Sequence, residues 1–199
     1  MTKATNRRGG FQTRPPVDPY ASPTARFPNR RSLRLKKYDY STPGAYFVTA
    51  CTHNRKCIFG TIQDHQVALS PAGRIVENSW HELREHYRGL ELDVFVTMPN
   101  HVHGIVFLAD GAPTLSEIIR GFKTYSARHA NALRDTAGQP VWQRGFHDHI
   151  IRNEKTLSMV REYIVNNPAK WHHDRENPDA VRAGLETRPY EQGPFPDAG

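Results

Sequence analysis

A chain of 199 residues, 37% hydrophobic and 24% charged, fits one ordinary globular domain with tails and excludes two full domains. The formal charge of +7 is uneven: residues 1–37 carry ten Lys and Arg against Asp18 alone, while the remaining 162 residues come to −2. A cationic arm before a nearly neutral body points to a polyanion such as nucleic acid, with an acidic protein or membrane surface left open by charge alone, and no apolar run approaches the ~20 residues of a membrane helix.

The cysteines Cys51 and Cys57 are the only two in the chain, which fits reduced thiols of a cytoplasmic protein. Gly9, Gly10, Pro15 and Pro16 follow the first basic residues where an export signal would need an apolar stretch. Residues 1–42 show scattered Pro, Gly and Arg without a period, and are expected to form a basic, largely disordered arm.

The segment AYFVTACT at 45–52 predicts the first strand, and THNRKCIFG a loop. Ser70 and Pro71 form a helix-start signal, after which Val76, Trp80, Leu83 and Tyr87 recur at helical spacing and predict a helix ending near Gly89. ELDVFVTM at 91–98 places Leu92, Val94, Val96 and Met98 on one face of a second strand. Pro99 and Asn100 then turn the chain into a third strand, HVHGIVFL at 101–108. Thr114 or Ser116 caps a second helix whose stripe is Leu115, Ile118, Ile119, Phe122 and Tyr125. Residues 141–152 supply a fourth strand broken at Gly145, and Thr156 caps a third helix running to Asn167, where Pro168 ends it. After residue 173 the chain turns polar and is expected to add a loose tail, 174–199. The order of elements predicts an α+β domain over 43–173: a ferredoxin-like central antiparallel sheet with helices on one face and an additional C-terminal helix.

His101 and His103 are two apart on a predicted strand, so both imidazoles point to one side and can ligate one Mg²⁺, Mn²⁺ or Zn²⁺. Tyr163 and Asn167 are four apart on a predicted helix and share a face, where an amide oxygen can serve as a third ligand and a phenol as a nucleophile. Spacing alone leaves other readings open: two polar residues on an exposed sheet face, and an aromatic at the edge of the Leu157, Val160, Ile164 stripe.

Longer phrases narrow the choice. MPNHVHGIV at 98–106 resembles the histidine signature of the HUH single-strand endonucleases in its IS200-like form. The segments at 38–60, 141–157 and 161–171 are similar to the corresponding parts of REP-associated tyrosine transposases, and the likeness runs over roughly residues 34–173. The resemblance implies that His101 and His103 bind metal, that Tyr163 is the nucleophile, and that Asn167 completes the metal site where many relatives have Gln. It further implies Mg²⁺ or Mn²⁺ as cofactor and single-stranded DNA with a REP-like hairpin as partner. The expected reaction is a transesterification through a 5′-phosphotyrosyl intermediate. Expected DNA contacts are Arg34, Lys36, Lys37, Tyr38, Arg55, Lys56, Arg120, Lys123, Arg144 and Arg152, with Arg128 and the stacking candidates Tyr40 and Trp142 beside them. His149 and His147 are auxiliary candidates for moving the phenol's proton. A non-catalytic binding sheet and a phosphodiesterase without covalent intermediate are the alternatives, and monomer and homodimer both stay open.

Overall fold

The computed structural model describes residues 42–184. Four strands form the main sheet: β1 (Gly44–Cys51), β4 (Leu90–Thr97), β5 (His101–Leu108) and β6 (His147–Ile151), in the order β4-β5-β1-β6 with every neighbour antiparallel. β1 and β5 occupy the centre and are buried on both faces, which is why their sequences read as nearly unbroken apolar runs.

Parity sorts each strand's side chains between two cores. Tyr46, Val48 and Ala50 of β1 and Val102 and Val106 of β5 face α1 (Pro71–His81) and α3 (Leu115–Leu133), whose Val76, Trp80, Ile118, Ile119 and Phe122 close the larger core. Ala45 and Phe47 of β1 and Ile105 and Phe107 of β5 face α4 (Glu154–Asn166), which packs on β4 and β5 through Leu157, Val160 and Ile164. The two cores therefore lie on opposite faces of the sheet, and the additional helix is the one that covers the histidine face.

Several sequence expectations change in detail. A two-stranded hairpin, β2 (Gly60–Gln63) and β3 (Gln66–Leu69), fills the stretch between the expected loop and the first helix, to which the sequence pattern assigns no element. Its turn uses Asp64 and His65, both at positive φ (47° and 62°), where the usual turn signal would contain glycine. The first helix stops at His81 and resumes as the single turn α2 (Leu83–His86), short of Gly89. In β4 a bulge between Leu92 and Phe95 breaks the period of two. Leu92 and Phe95 pack in the larger core, whereas Val94 and Val96 face α4. Tyr125 is 46% exposed and Ser126 takes the inward position. Asn153, not Thr156, caps α4: its Oδ1 accepts the Thr156 N–H at 2.8 Å. A 3₁₀ turn at Pro168–His173 and a short α5 (Pro178–Ala183) follow, so the beginning of the expected loose tail is folded, with Glu176 and Asn177 buried. No helix among the described residues is long and apolar enough to cross a membrane.

Gly104 lies on the histidine strand and faces the larger core. A Cβ there would stand 2.4 Å from Trp80 Cζ2 and 3.0 Å from Phe95 Cδ2, so only glycine lets Trp80 pack this close to β5.

Candidate metal centre and tyrosine site

The turn at Pro99 and Asn100 delivers His101 to the first position of β5, and it is anchored on three sides. Met98 N donates to His101 O (2.8 Å), Thr52 N to Asn100 O (2.8 Å) and Phe59 N to Pro99 O (3.0 Å). Antiparallel register then sets His101 opposite Cys51 and His103 opposite Thr49. Both imidazoles are buried and face each other, Nε2 to Nε2, at 3.0 Å. His101 Nδ1 pairs with Asn100 Oδ1 (2.9 Å) and His103 Nδ1 with Thr49 Oγ1 (2.8 Å).

Helix α4 brings its tyrosine to this pair. Tyr163 precedes the buried Ile164, at the edge of the docking stripe, and its ring lies 5.4 Å from that of His103 and 6.0 Å from Phe47, which itself stacks on His103 at 5.2 Å. One turn later Asn167 is buried, and its Oδ1 is a buried acceptor with no hydrogen-bond partner. After the 3₁₀ turn, in which Trp171 passes 6.0 Å from His101, the chain doubles back and sets Asp174 Oδ2 3.9 Å from His101 Nε2.

His101, His103 and Asp174 thus form a cluster whose ligand atoms all lie within 4.8 Å of one another. The donor set fits a divalent cation. Two nitrogens each ~2.1 Å from one ion at a right angle stand ~3.0 Å apart, which is the separation of the two Nε2 atoms. The carboxylate brings charge, and the unpartnered amide oxygen of Asn167 is an acceptor that folding has desolvated without compensation.

Burial, then the positive charges of Arg175 and Arg55, pulls the His101 pKa down to about 3, and burial followed by its neighbour His101 holds His103 well below the usual range. Both rings are therefore neutral near pH 7 and keep a lone pair for metal. Burial, and then the Asp174 carboxylate, pushes the Tyr163 phenol up to about 12. Beneath the site Glu176 is held by Arg55 (2.9 Å) and Arg175 (3.2 Å), and burial together with Glu176 pushes the Cys51 thiol up to about 12.

The other expected residues divide by position. Arg34, Lys36, Lys37, Tyr38 and Tyr40 lie outside the described residues. Arg55 is tied to Glu176, though still partly exposed, and Lys56, Arg144 and Arg152 are exposed. His147 and His149 stand on β6 opposite Thr49 and Phe47, so they flank the histidine face across β1. Burial, then Arg152, lowers the His149 pKa. Lys123 is turned onto the carbonyls of Gln143 (2.6 Å) and Gly145 (2.5 Å), holding that loop instead of presenting a free cation. Arg120 and Arg128 are on α3, which covers the opposite face of the sheet, where they line an open groove with Tyr87 and Tyr125. Trp142 is a core residue, 8% exposed, whose Nε1 donates to Ser126 Oγ (3.1 Å), and is not available for stacking on a base.

Sequence reasoning missed Asp174, Asn100, Thr49 and Glu176. Asp174 sits in a polar stretch with no period, and only the 3₁₀ reversal after Pro168 brings it back to His101. Asn100 was read as a turn former, which it is, but its position directly before His101 was the available signal.

Comparison with known proteins agrees with this geometry. The family described as "Transposase IS200 like" matches residues 44–167. An uncharacterised protein of Haemophilus influenzae is 35% identical over 171 residues, covering 74% of this chain and 92% of its own. The REP-associated tyrosine transposase of Escherichia coli K12 is 34% identical over 131 residues, covering 66% of this chain and 70% of its own. A solved REP-associated tyrosine transposase bound to a REP hairpin shares the fold with a TM-score of 0.54 at 24% identity, covering 70% of this chain and 74% of that one.

Proposed function

The chain belongs to the IS200-like family, among the REP-associated tyrosine transposases of the HUH nuclease superfamily, and on that premise we propose that it cuts and rejoins single-stranded DNA through Tyr163. It is an enzyme of HUH type, with a His-His-Asp cluster suited to a divalent metal. The observation that carries the reading is the packing of Tyr163 against His103 at 5.4 Å, on the side of the sheet where the two Nε2 atoms meet. We read the strand order β4-β5-β1-β6 as ferredoxin-like, with β5 inserted between β1 and β4.

His101, His103 and Asp174, with Asn167 as a further oxygen donor, would hold Mg²⁺ or Mn²⁺. Once bound, the cation supplies positive charge to the non-bridging oxygens of the scissile phosphate. Tyr163 Oη attacks phosphorus and gives up its proton. The Oη–P bond forms, the P–O3′ bond breaks, and the leaving 3′ oxygen takes a proton to become a free 3′-OH. Attack by another 3′-OH on the phosphotyrosine reverses the step and joins strands with no external energy source. His149 and His147, across β1 from the site, are candidates to relay the phenol's proton through water.

A REP-like hairpin is the proposed substrate, since the relatives' names carry that element. Lys56, Arg144 and Arg152, with Arg34, Lys36, Lys37 and Tyr38 of the arm, are the proposed phosphate and base contacts, and a cytoplasmic setting follows from a DNA substrate. The test is incubation of the protein with hairpin-bearing oligonucleotides and Mg²⁺ or Mn²⁺, followed by denaturing gels. A slow protein–DNA band that disappears in Tyr163→Phe supports the reading. Free product formed equally well by Tyr163→Phe overturns it.

A further inference from the structure

The tautomers of the two histidines are set by residues outside the ligand cluster. Asn100 is fully buried, and its side chain meets three groups: Arg55 O at 3.0 Å, Glu176 O at 2.6 Å and His101 Nδ1 at 2.9 Å. Carbonyl oxygens only accept, so the two of them can be met only by the Asn100 NH₂ group. That fixes the amide's orientation and turns Oδ1 to His101. An amide oxygen also only accepts, so His101 Nδ1 must carry the hydrogen, and its Nε2 is left with a lone pair.

The consequence passes to His103. With His101 Nε2 an acceptor, the 3.0 Å contact between the rings is a hydrogen bond only when His103 carries its hydrogen on Nε2. His103 Nδ1 is then an acceptor, and the 2.8 Å contact to Thr49 Oγ1 is a bond donated by the hydroxyl. A cation held by both Nε2 atoms needs the other tautomer of His103. Its hydrogen then belongs on Nδ1, with the Thr49 hydroxyl turned to accept it. A hydroxyl serves both arrangements because it can donate or accept without changing its own protonation.

We infer that Asn100 and Thr49 are positioning residues for the metal centre: Asn100 holds His101 permanently in the ligating tautomer, and Thr49 lets His103 exchange between a metal-free and a ligating tautomer. Loading the site then costs one proton relocation within His103 and no net loss of protons from the pair. Glu176 is drawn in through its backbone, since the Asn100 NH₂ group bonds its carbonyl and so fastens the segment that carries Asp174 to the turn that carries His101. The inference rests on the metal reading proposed above but has a readout independent of it.

The experiment is long-range ¹H–¹⁵N correlation on histidine-labelled full-length protein, first without metal and then with Zn²⁺ as a diamagnetic probe, alongside Mn²⁺ titration by calorimetry. In metal-free protein His101 is expected as the Nδ1–H form and His103 as the Nε2–H form, with His103 alone switching on Zn²⁺ addition. Thr49→Val should weaken Mn²⁺ binding by about 10- to 100-fold, whereas Thr49→Ser should keep wild-type affinity. Asn100→Ala should lose the single tautomer at His101. If that variant does not fold, the wild-type spectra and the Thr49 pair still decide. An Nε2–H tautomer at His101 in the metal-free protein, or equal Mn²⁺ affinity in Thr49→Val and Thr49→Ser, overturns the inference. A wild-type protein that takes up neither cation overturns the metal reading instead, and the metal-free His101 spectrum still judges the role of Asn100.

Discussion

A phenol is a poor nucleophile until its proton leaves, and the surroundings of Tyr163 make that departure harder. Burial and the Asp174 carboxylate hold the phenol up at about 12, above its ordinary 10.0. In the metal-free protein the neutral form therefore dominates, and the phenolate fraction grows about tenfold per pH unit below the pKa. With DNA and metal saturating, the rate of adduct formation is expected to rise with pH between about 6 and 9, read from single-turnover gels. A rate that falls across that window would mean that an acid, not the phenol, limits the step. The thiols give a second check at this scale. Cys57 is exposed, while Cys51 is buried and pushed up to about 12 by burial and Glu176. A thiol reagent at pH 8 should modify one cysteine quickly in the native protein and both after denaturation. Two fast thiols in the native state would contradict the packing beneath His101.

At the scale of elements, the histidine strand depends on what lies behind it. His103 and Gly104 are adjacent, so one faces the site and the other faces Trp80. Gly104→Ala is expected to destabilise by about 1–3 kcal/mol through overpacking, seen as a lower midpoint in thermal or urea unfolding. An unchanged midpoint would mean that Trp80 moves aside freely. Most elements were legible in the sequence where pattern and environment agree. HVHGIVFL reads as a strand because both faces of β5 are covered, and the stripe of Ile118, Ile119 and Phe122 reads as a helix because one face of α3 is. The misses have local causes. The bulge at Asp93 and Val94 carries no glycine or proline, and Asp93 is pointed to accept from Arg161 Nε at 2.8 Å, a long-range pair that no local pattern announces. The β2–β3 turn sits on two non-glycine residues at positive φ.

On the scale of the molecule, the site is a product of topology. β5 supplies two imidazoles, α4 and its C-cap supply Tyr163 and Asn167 from the face opposite α1 and α3, and the reversal after Pro168 returns Asp174. Strand parity and helical spacing made the first four residues legible as two separate pairs. Their meeting across 60 residues of sequence, from His103 to Tyr163, was beyond any periodicity. Asp174 was illegible altogether, because a carboxylate brought back by a 3₁₀ turn has no sequence signature. Its contribution can be isolated: Asp174→Asn removes one negative charge from the cluster and is expected to weaken Mn²⁺ binding by about tenfold or more, measured by calorimetry, with the fold unchanged. Wild-type affinity in that variant would place the cation on the histidines and Asn167 alone.

The proposed chemistry attaches Tyr163 covalently to DNA. Its most direct measurement is to stop the reaction with a hairpin-bearing oligonucleotide under denaturing conditions, digest protein and DNA, and locate the modified peptide by mass spectrometry. The proposed chemistry requires a 5′-phosphonucleotide on the peptide containing Tyr163, at that residue, and none in metal-free controls. Strand cleavage with the mark on another residue, or with no mark at all, would contradict it.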